Sequence, residues 1–327
     1  MVTVAETAVA HIVGIGDGIL NVNKPAGWTS HDIVAKVRGL LKGPKVGHAG
    51  TLDPAATGVL PVLVGRGTRI AEYLLDWDKE YRTVLRLGQT TDTQDATGTV
   101  LATRSLDGLT EGKIRSAIAR FQGRITQVPP MYSAVKVDGV PLYKSARAGK
   151  TVEREPRTVD IYELEVLAIA DADVTLRVRC SKGTYVRTLC ADVGDALGVG
   201  GHLRSLQRTR VGPLAVEQAL TLEEIGARVV AGRLAEDLLT LDDALATVPA
   251  IVVDERTAER VRHGAAIPAG ASRWATAHHG TPTAVRVKNA AGQLLAVGKI
   301  AAGPVGNDAV PGVAIEKVLV DVKAVSR

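Results

Sequence analysis

The chain has 327 residues, 40 Lys+Arg against 35 Asp+Glu and a formal net charge of +5, with 46% hydrophobic and 23% charged residues. That is enough chain for a large domain and a small one, each with its own core, in the composition range of ordinary globular proteins. No run of 18 uninterrupted apolar residues marks a membrane span, and two cysteines, Cys180 and Cys190, fit neither a disulfide framework nor zinc spacing, which points to a reducing cytoplasm.

Residues 1–18 have no basic n-region and are interrupted by Glu6, His11 and Asp17, so they read as a loose tail rather than a signal peptide. Ile19–Asn23 reads as a short strand, and Lys24-Pro25-Ala26-Gly27 as a turn. Thr29 or Ser30 can cap a helix whose apolar face is Ile33, Val34, Val37, Leu40 and Leu41, closed by Gly43-Pro44. Val59–Val64 suits a buried strand, although Pro61 weakens that reading or places it at a bend. A short helix is expected over Ile70–Trp77. Tyr81, Thr83, Leu85 and Leu87 alternate with Arg82, Val84 and Arg86, the pattern of a half-buried strand. Asp95-Ala96-Thr97-Gly98 is turn chemistry before a second strand. Lys113–Phe121 is spaced as a helix. Residues 127–156 form a long irregular excursion carrying Pro129-Pro130, Asp138-Gly139 and Pro141. Arg157–Ala168 and Val174–Cys180 read as strands, and Tyr185–Leu197 as a helix. An acidic, helical linking stretch runs to about Val248. Beyond it a helix (Glu255–His263), a hairpin around Asn289-Ala290-Ala291-Gly292 and a last strand (Val318–Val322) suggest a small β-rich unit. The expected architecture is α+β on a largely antiparallel mixed sheet, divided as 1–18, 19–247 and 248–327.

Charge is unevenly placed. Arg120–Arg157 holds eight basic and three acidic residues, Thr175–Arg210 seven and two, and Val211–Arg260 four and ten. Charge runs are most often solvated faces. A polyanion footprint in the middle of the chain is the sharper alternative. There is no Walker A sequence, no GxGxxG spacing around Gly14, Gly16 and Gly18, no H-E-x-x-H and no G-x-S-x-G; His278-His279 is an adjacent pair in an expected loop.

The segment GHAGTLDPAATG, Gly47–Gly58, is the chemically suggestive one. Its glycines permit backbone shapes other residues resist, and Pro54 pushes Asp53 away from helical angles. Asp53 is thereby held on a stiff loop. A carboxylate there is ionised near neutral pH and can serve as nucleophile, base or electrostatic stabiliser, or simply as a turn residue.

The longer segment GHAGTLDPAATGVLPVLVG closely resembles the catalytic motif of the TruB family of tRNA pseudouridine synthases. Four further segments resemble that family in its order: Leu20–Val34, Asp78–Gly98, Gln127–Lys150 and Cys180–Gly198. The resemblance spans about Ile19 to Leu220, and the C-terminal unit looks like the PUA-type RNA-binding domain such enzymes carry. It implies a cytoplasmic enzyme that isomerises uridine 55 in the T-loop of tRNA to pseudouridine by flipping the base and remaking the glycosidic bond at C5, with no cofactor and no metal. Asp53 would be the catalytic carboxylate. His48 would enter the space left by the flipped base, Tyr81 would stack on the uracil, Arg187 would pair with Asp53, and Tyr185 and Leu206 would line the pocket. Lys24 and Pro25 would buttress the loop. Residues 127–156 would be a thumb closing on RNA, with Lys144, Arg147, Lys150, Arg154, Arg204, Arg208 and Arg210 at phosphates. A monomer without an obligatory protein partner is expected. A tRNA-binding or folding module, or a guide-RNA-dependent subunit, are the competing readings.

Overall fold

The computed structural model describes residues 15–133, 135–137, 139–150, 152–276, 283–301 and 311–321. Within them a ten-stranded sheet runs, in spatial order, Leu238–Leu239, Gly18–Lys24, Thr57–Val64, Gly201–Val211, Lys79–Leu87, Asp173–Cys180, Arg157–Ala170 and Gly123–Gln127, with Val46–His48 added beside Thr57–Val64 and Leu214–Ala215 beside Gly201–Val211. Its ladders are antiparallel except that Thr57 and Gly58 pair in parallel with Gln207 and Arg208. The α+β class and largely antiparallel mixed sheet are as expected. The strand after Asp53 thus enters the centre of the sheet at its parallel junction.

The Ser30–Leu41 helix forms where the apolar spacing put it. Thr29 caps it reciprocally with Asp32, and Ile33, Val34, Val37 and Leu41 are buried against Leu20, Val22, Leu60, Val62 and Val64. Pro61 sits inside a straight strand, not at a bend. Its carbonyl accepts from the Ala49 N–H (3.0 Å). Backbone N and O of one strand residue point to the same side. The proline's missing N–H falls on that same side, where the Val46–His48 pairing with this strand ends.

Lys79–Leu87 alternates as expected, with Tyr81, Thr83, Leu85 and Leu87 buried. The Val186–Ala196 helix packs Leu189, Cys190 and Val193 onto that face. Gly201–Val211 is a strand that sequence patterning did not anticipate. The expected helix at Ile70–Trp77 is a 3-10 turn, Gly65–Ile70, followed by a short helix, Ala71–Leu75. Residues 127–156 are less irregular than expected: two-residue strands Lys136–Val137 and Val140–Pro141 precede a short helix, Leu142–Arg147.

A second, five-stranded sheet has the order Ser272–Trp274, Ala250–Val253, Ala284–Lys288, Leu294–Ile300, Val313–Val318. The last strand lies earlier than the expected Val318–Val322; its alternating valines continue past the point where pairing with Leu294–Ile300 ends. Leu294, Val297 and Leu319 share one apolar cluster with Ile19, Leu63, Ile70 and Leu74, so the two sheets meet over a common core. Just before Ile19, Asp17 binds the Arg66 guanidinium (2.6 Å), and the first strand starts at Gly18. The remainder of the expected tail, and His278-His279, lie outside the described residues.

Candidate active site

The catalytic-motif loop is anchored from both sides. Gly27 donates its N–H to the Pro54 carbonyl (2.9 Å). Ser30 Oγ donates to the Leu52 carbonyl (3.2 Å) and accepts from the Leu52 N–H (2.9 Å). Lys24 is fully buried, and its Nζ donates to the carbonyls of Pro25 (2.9 Å), Trp28 (2.7 Å) and Pro54 (3.1 Å). Burial, partly offset by the nearby Asp53 charge, lowers its pKa to about 8. Pro25 itself is exposed in the turn, and only its carbonyl takes part.

Arg208 stands apart from its expected place at an RNA phosphate. It is 2% exposed, and its guanidinium donates to the carbonyls of Val59 (2.7 Å), Gly50 (3.0 Å) and Thr51 (3.4 Å). The Tyr81 phenol lies beside it in register across the sheet. Parallel pairing with Gly58 fixes this placement. Gly58 has φ +97°, and a Cβ there would lie 2.2 Å from the Arg208 carbonyl oxygen.

Asp53 meets Arg187 as expected: Arg187 Nη2 lies 2.9 Å from Asp53 Oδ2. Arg187 is itself buried, starts the Val186–Ala196 helix, and also donates to the Tyr132 carbonyl (2.9 Å). On its other side is Asp95, with Oδ2 3.7 Å from Nη1. Asp95 Oδ1 accepts from Thr93 Oγ1 (2.8 Å) and from the N–H (2.9 Å) and hydroxyl (2.6 Å) of Thr97. One guanidinium is thus held between two carboxylates. Asp53 keeps 40% of its side chain exposed at the mouth of the site, while Asp95 keeps 15%.

The Asp53 carboxyl is pulled in opposite directions by its surroundings. Partial withdrawal from water is the largest influence and raises the Asp53 pKa. Arg187 opposes it, the Asp95 charge reinforces it, and Lys24 opposes it.

Tyr81 is 8% exposed, opposite Arg208 in register, and burial pushes its phenol up to about 12, so it stays neutral. Leu206 packs on the apolar cluster that contains Tyr81. Tyr185 caps the Arg187 helix. The Gln127 side chain clamps it, accepting from the Tyr185 N–H (3.1 Å) and donating to the Tyr185 carbonyl (3.2 Å). His48 is half-buried in Val46–His48, with its Nδ1 enclosed and lacking a hydrogen-bond partner among the described residues. Its ring meets His31 edge-on at 5.5 Å, and burial, then His31 and Arg208, lower its pKa.

The other basic residues disperse. Arg204 pairs with Asp173, Arg154 donates to the Pro129 carbonyl (3.2 Å), Lys144, Lys150 and Arg210 are exposed, and the Arg147 side chain lies outside the described residues. Asp95, Gln127 and the loop-holding role of Arg208 were not foreseen. The dense hydroxyl and carboxylate run Thr90–Thr97, with Gln94 at φ +63°, was the available signal for the first.

The mixed sheet places this chain in a fold class shared with solved structures. This fold is similar to "Crystal Structure of a Cbf5-Nop10-Gar1 Complex" (TM-score 0.73, 30% identity, 94% of this chain and 86% of that one) and to "Structure of H/ACA RNP bound to a substrate RNA containing 2'-deoxyuridine" (TM-score 0.71, 28% identity, 94% and 86%). Residues 38–186 match the model of the TruB family pseudouridylate synthase (N terminal domain), and 187–252 that of the tRNA pseudouridylate synthase B C-terminal domain. The chain is 50% identical over 255 residues to tRNA pseudouridine synthase B of Ralstonia pickettii (strain 12J), covering 77% of this chain and 80% of that one. It is 47% identical over 289 residues to the protein of the same name in Burkholderia mallei (strain NCTC 10247), covering 88% and 94%. The chain belongs to the TruB family of pseudouridylate synthases.

Proposed function

We propose that the protein isomerises uridine 55 in the T-loop of tRNA to pseudouridine. The observation that carries this reading is the contact between Arg187 and Asp53, two residues far apart in sequence that the fold brings to 2.9 Å at an open mouth, within a chain 47–50% identical to proteins named tRNA pseudouridine synthase B. Isomerisation consumes no oxidant and transfers no phosphate, so a carboxylate, a cation and a base-sized pocket suffice chemically.

In this reading a uridine leaves its stack, at a cost of a few kcal/mol. His48, neutral at pH 7, takes the vacated place. Tyr81 stacks on the uracil, with Tyr185 and Leu206 at the pocket wall. Asp53 either adds covalently to sugar or base, or abstracts a sugar proton to give a glycal; Arg187 orients it in both routes. Lys24 buttresses the loop. Lys144, Lys150 and Arg210 supply exposed positive charge for the phosphate backbone, alongside Arg147 and Arg154. Residues 19–247 act as the catalytic unit, with 127–156 closing on RNA, and 248–327 as a PUA-like RNA-binding unit. The protein works in the cytoplasm as a monomer; among the described residues no helix is long and apolar enough to cross a membrane.

The test is incubation of the full chain with an unmodified tRNA transcript and mapping of pseudouridine along it. Modification at uridine 55 without any guide RNA is expected, and Asp53→Asn is expected to bind the transcript yet form none. Substantial turnover by Asp53→Asn would refute the mechanism. A requirement for a second RNA would favour the guide-dependent alternative.

A further inference from the structure

Few aromatic side chains are available for stacking on RNA: the chain has one Phe, three Trp and six Tyr. Among the described residues, two large aromatics are conspicuously exposed, Trp28 at 38% and Tyr162 at 42%. Tyr162 already has a partner, because the Arg179 guanidinium lies 5.4 Å from its ring centre. Trp28 has a different setting. It follows the turn at Gly27, where φ is +82°, and precedes the cap of the Ser30–Leu41 helix.

The backbone around Trp28 is fastened to the Asp53 loop on both sides. Gly27 N–H is bound to the Pro54 carbonyl, Ser30 Oγ to both backbone groups of Leu52, and the Trp28 carbonyl to buried Lys24 Nζ, which also holds the Pro54 carbonyl. Thr29 is locked further by its N–H donating to Asp32 Oδ2 (2.8 Å). Three residues on, His31 touches the His48 ring. The segment from Trp28 to His31 therefore links the Asp53 loop to His48, with its main chain fixed and about a third of Trp28 open to solvent. The open part of the ring forfeits burial. It is well suited to an unpaired base, because a rigid aromatic loses little freedom on stacking.

We propose that Trp28 is a stacking surface for an unpaired base of the substrate RNA loop, a neighbour of the base that enters the Asp53 site, and that it sets substrate affinity rather than the chemical step. This rests on the T-loop reading above. Trp28 carries no charge or titratable group, so it acts as a binding residue.

The experiment uses full-length wild type, Trp28→Ala and Trp28→Phe with an unmodified T-stem-loop RNA, measuring Kd by titration at fixed salt and KM and kcat by pseudouridine formation. Trp28→Ala is expected to raise Kd and KM about tenfold, with kcat within about twofold of wild type, and Trp28→Phe to restore most of the affinity. Replacing loop nucleotides one at a time by an abasic residue locates the partner: at one position the wild type should lose affinity while Trp28→Ala loses no more. The proposal is overturned if Kd and KM do not change, if kcat falls instead and Phe fails to restore it, or if no abasic position shows a shared loss. If wild type binds the RNA but does not modify it, the functional reading fails separately, and the Kd values still decide the role of Trp28.

Discussion

Arg208 shows how far a side chain's role can depart from its charge. In the basic Thr175–Arg210 stretch a cation suggests a phosphate partner; the structure places it instead in the interior, holding two carbonyls of the loop that carries Asp53, those of Gly50 and Thr51, and that of Val59 in the strand that follows. Nothing local in the sequence marks that burial, because it depends on a strand contact made across the sheet. Arg208→Met should therefore lower stability by about 3 kcal/mol, through carbonyls left without donors, and abolish turnover. A phosphate-contact role would leave the denaturation midpoint unchanged and weaken only RNA binding. Asp53 and Arg187, by contrast, were legible because each lies in a motif segment. Their coupling has a sign that pH can test. Arg187 lowers the Asp53 pKa against burial, so Arg187→Met should move the acidic limb of the kcat/KM profile to higher pH. The folded pKa of Asp53 is raised above its unfolded value. Its charge is thus penalised in the folded state at neutral pH, and the penalty disappears as pH falls through the raised pKa toward the ordinary carboxylate range. Asp53→Asn should accordingly be more stable than wild type at neutral pH, and thermal melts across an acid series should show that advantage shrinking.

Two elements with an unbroken period were legible, whereas the bulged Gly201–Val211 strand was not, although Arg157–Ala170, bulged as well, was read almost whole. Ser30–Leu41 and Lys79–Leu87 keep one buried face throughout, and their expected extents differ from the observed ones by two residues or fewer. Gly201–Val211 carries register shifts between Leu203 and Ser205 and between Arg208 and Arg210. Each shift moves the inward-facing set by one residue, so period-two alternation never accumulates over the strand. Gly58, where this strand meets its parallel neighbour, is correspondingly intolerant. Gly58→Ala would force a Cβ against the Arg208 carbonyl at an unfavourable φ; a loss of about 1–3 kcal/mol in denaturant unfolding is expected, with reduced turnover.

At the scale of the whole molecule, the small β-rich unit was legible as a cluster of hairpin and strand signals, but its attachment was not. The shared core of Leu294, Val297 and Leu319 with Ile19, Leu63 and Ile70 links residues from opposite ends of the chain, and no sequence period encodes that. The net charge of +5 is modest, yet exposed Lys144, Lys150 and Arg210 add to a positive surface. If these cations meet phosphates, log affinity for tRNA should fall linearly with log salt, by roughly one unit of slope per phosphate contacted. A flat response would count against the RNA-closing role of residues 127–156.

The loop carrying Asp53 belongs to the first fifth of the chain, while the guanidinium that holds its carbonyls lies at residue 208 and the one that orients the carboxylate at residue 187. During translation the first of these partners is made long before the others. A nascent chain halted before Gly201 would present Asp53 on a loop lacking its Arg208 hydrogen bonds. The loop can acquire its Arg208 bonds only after the Gly201–Val211 strand, which lies between Thr57–Val64 and Lys79–Leu87, has been made.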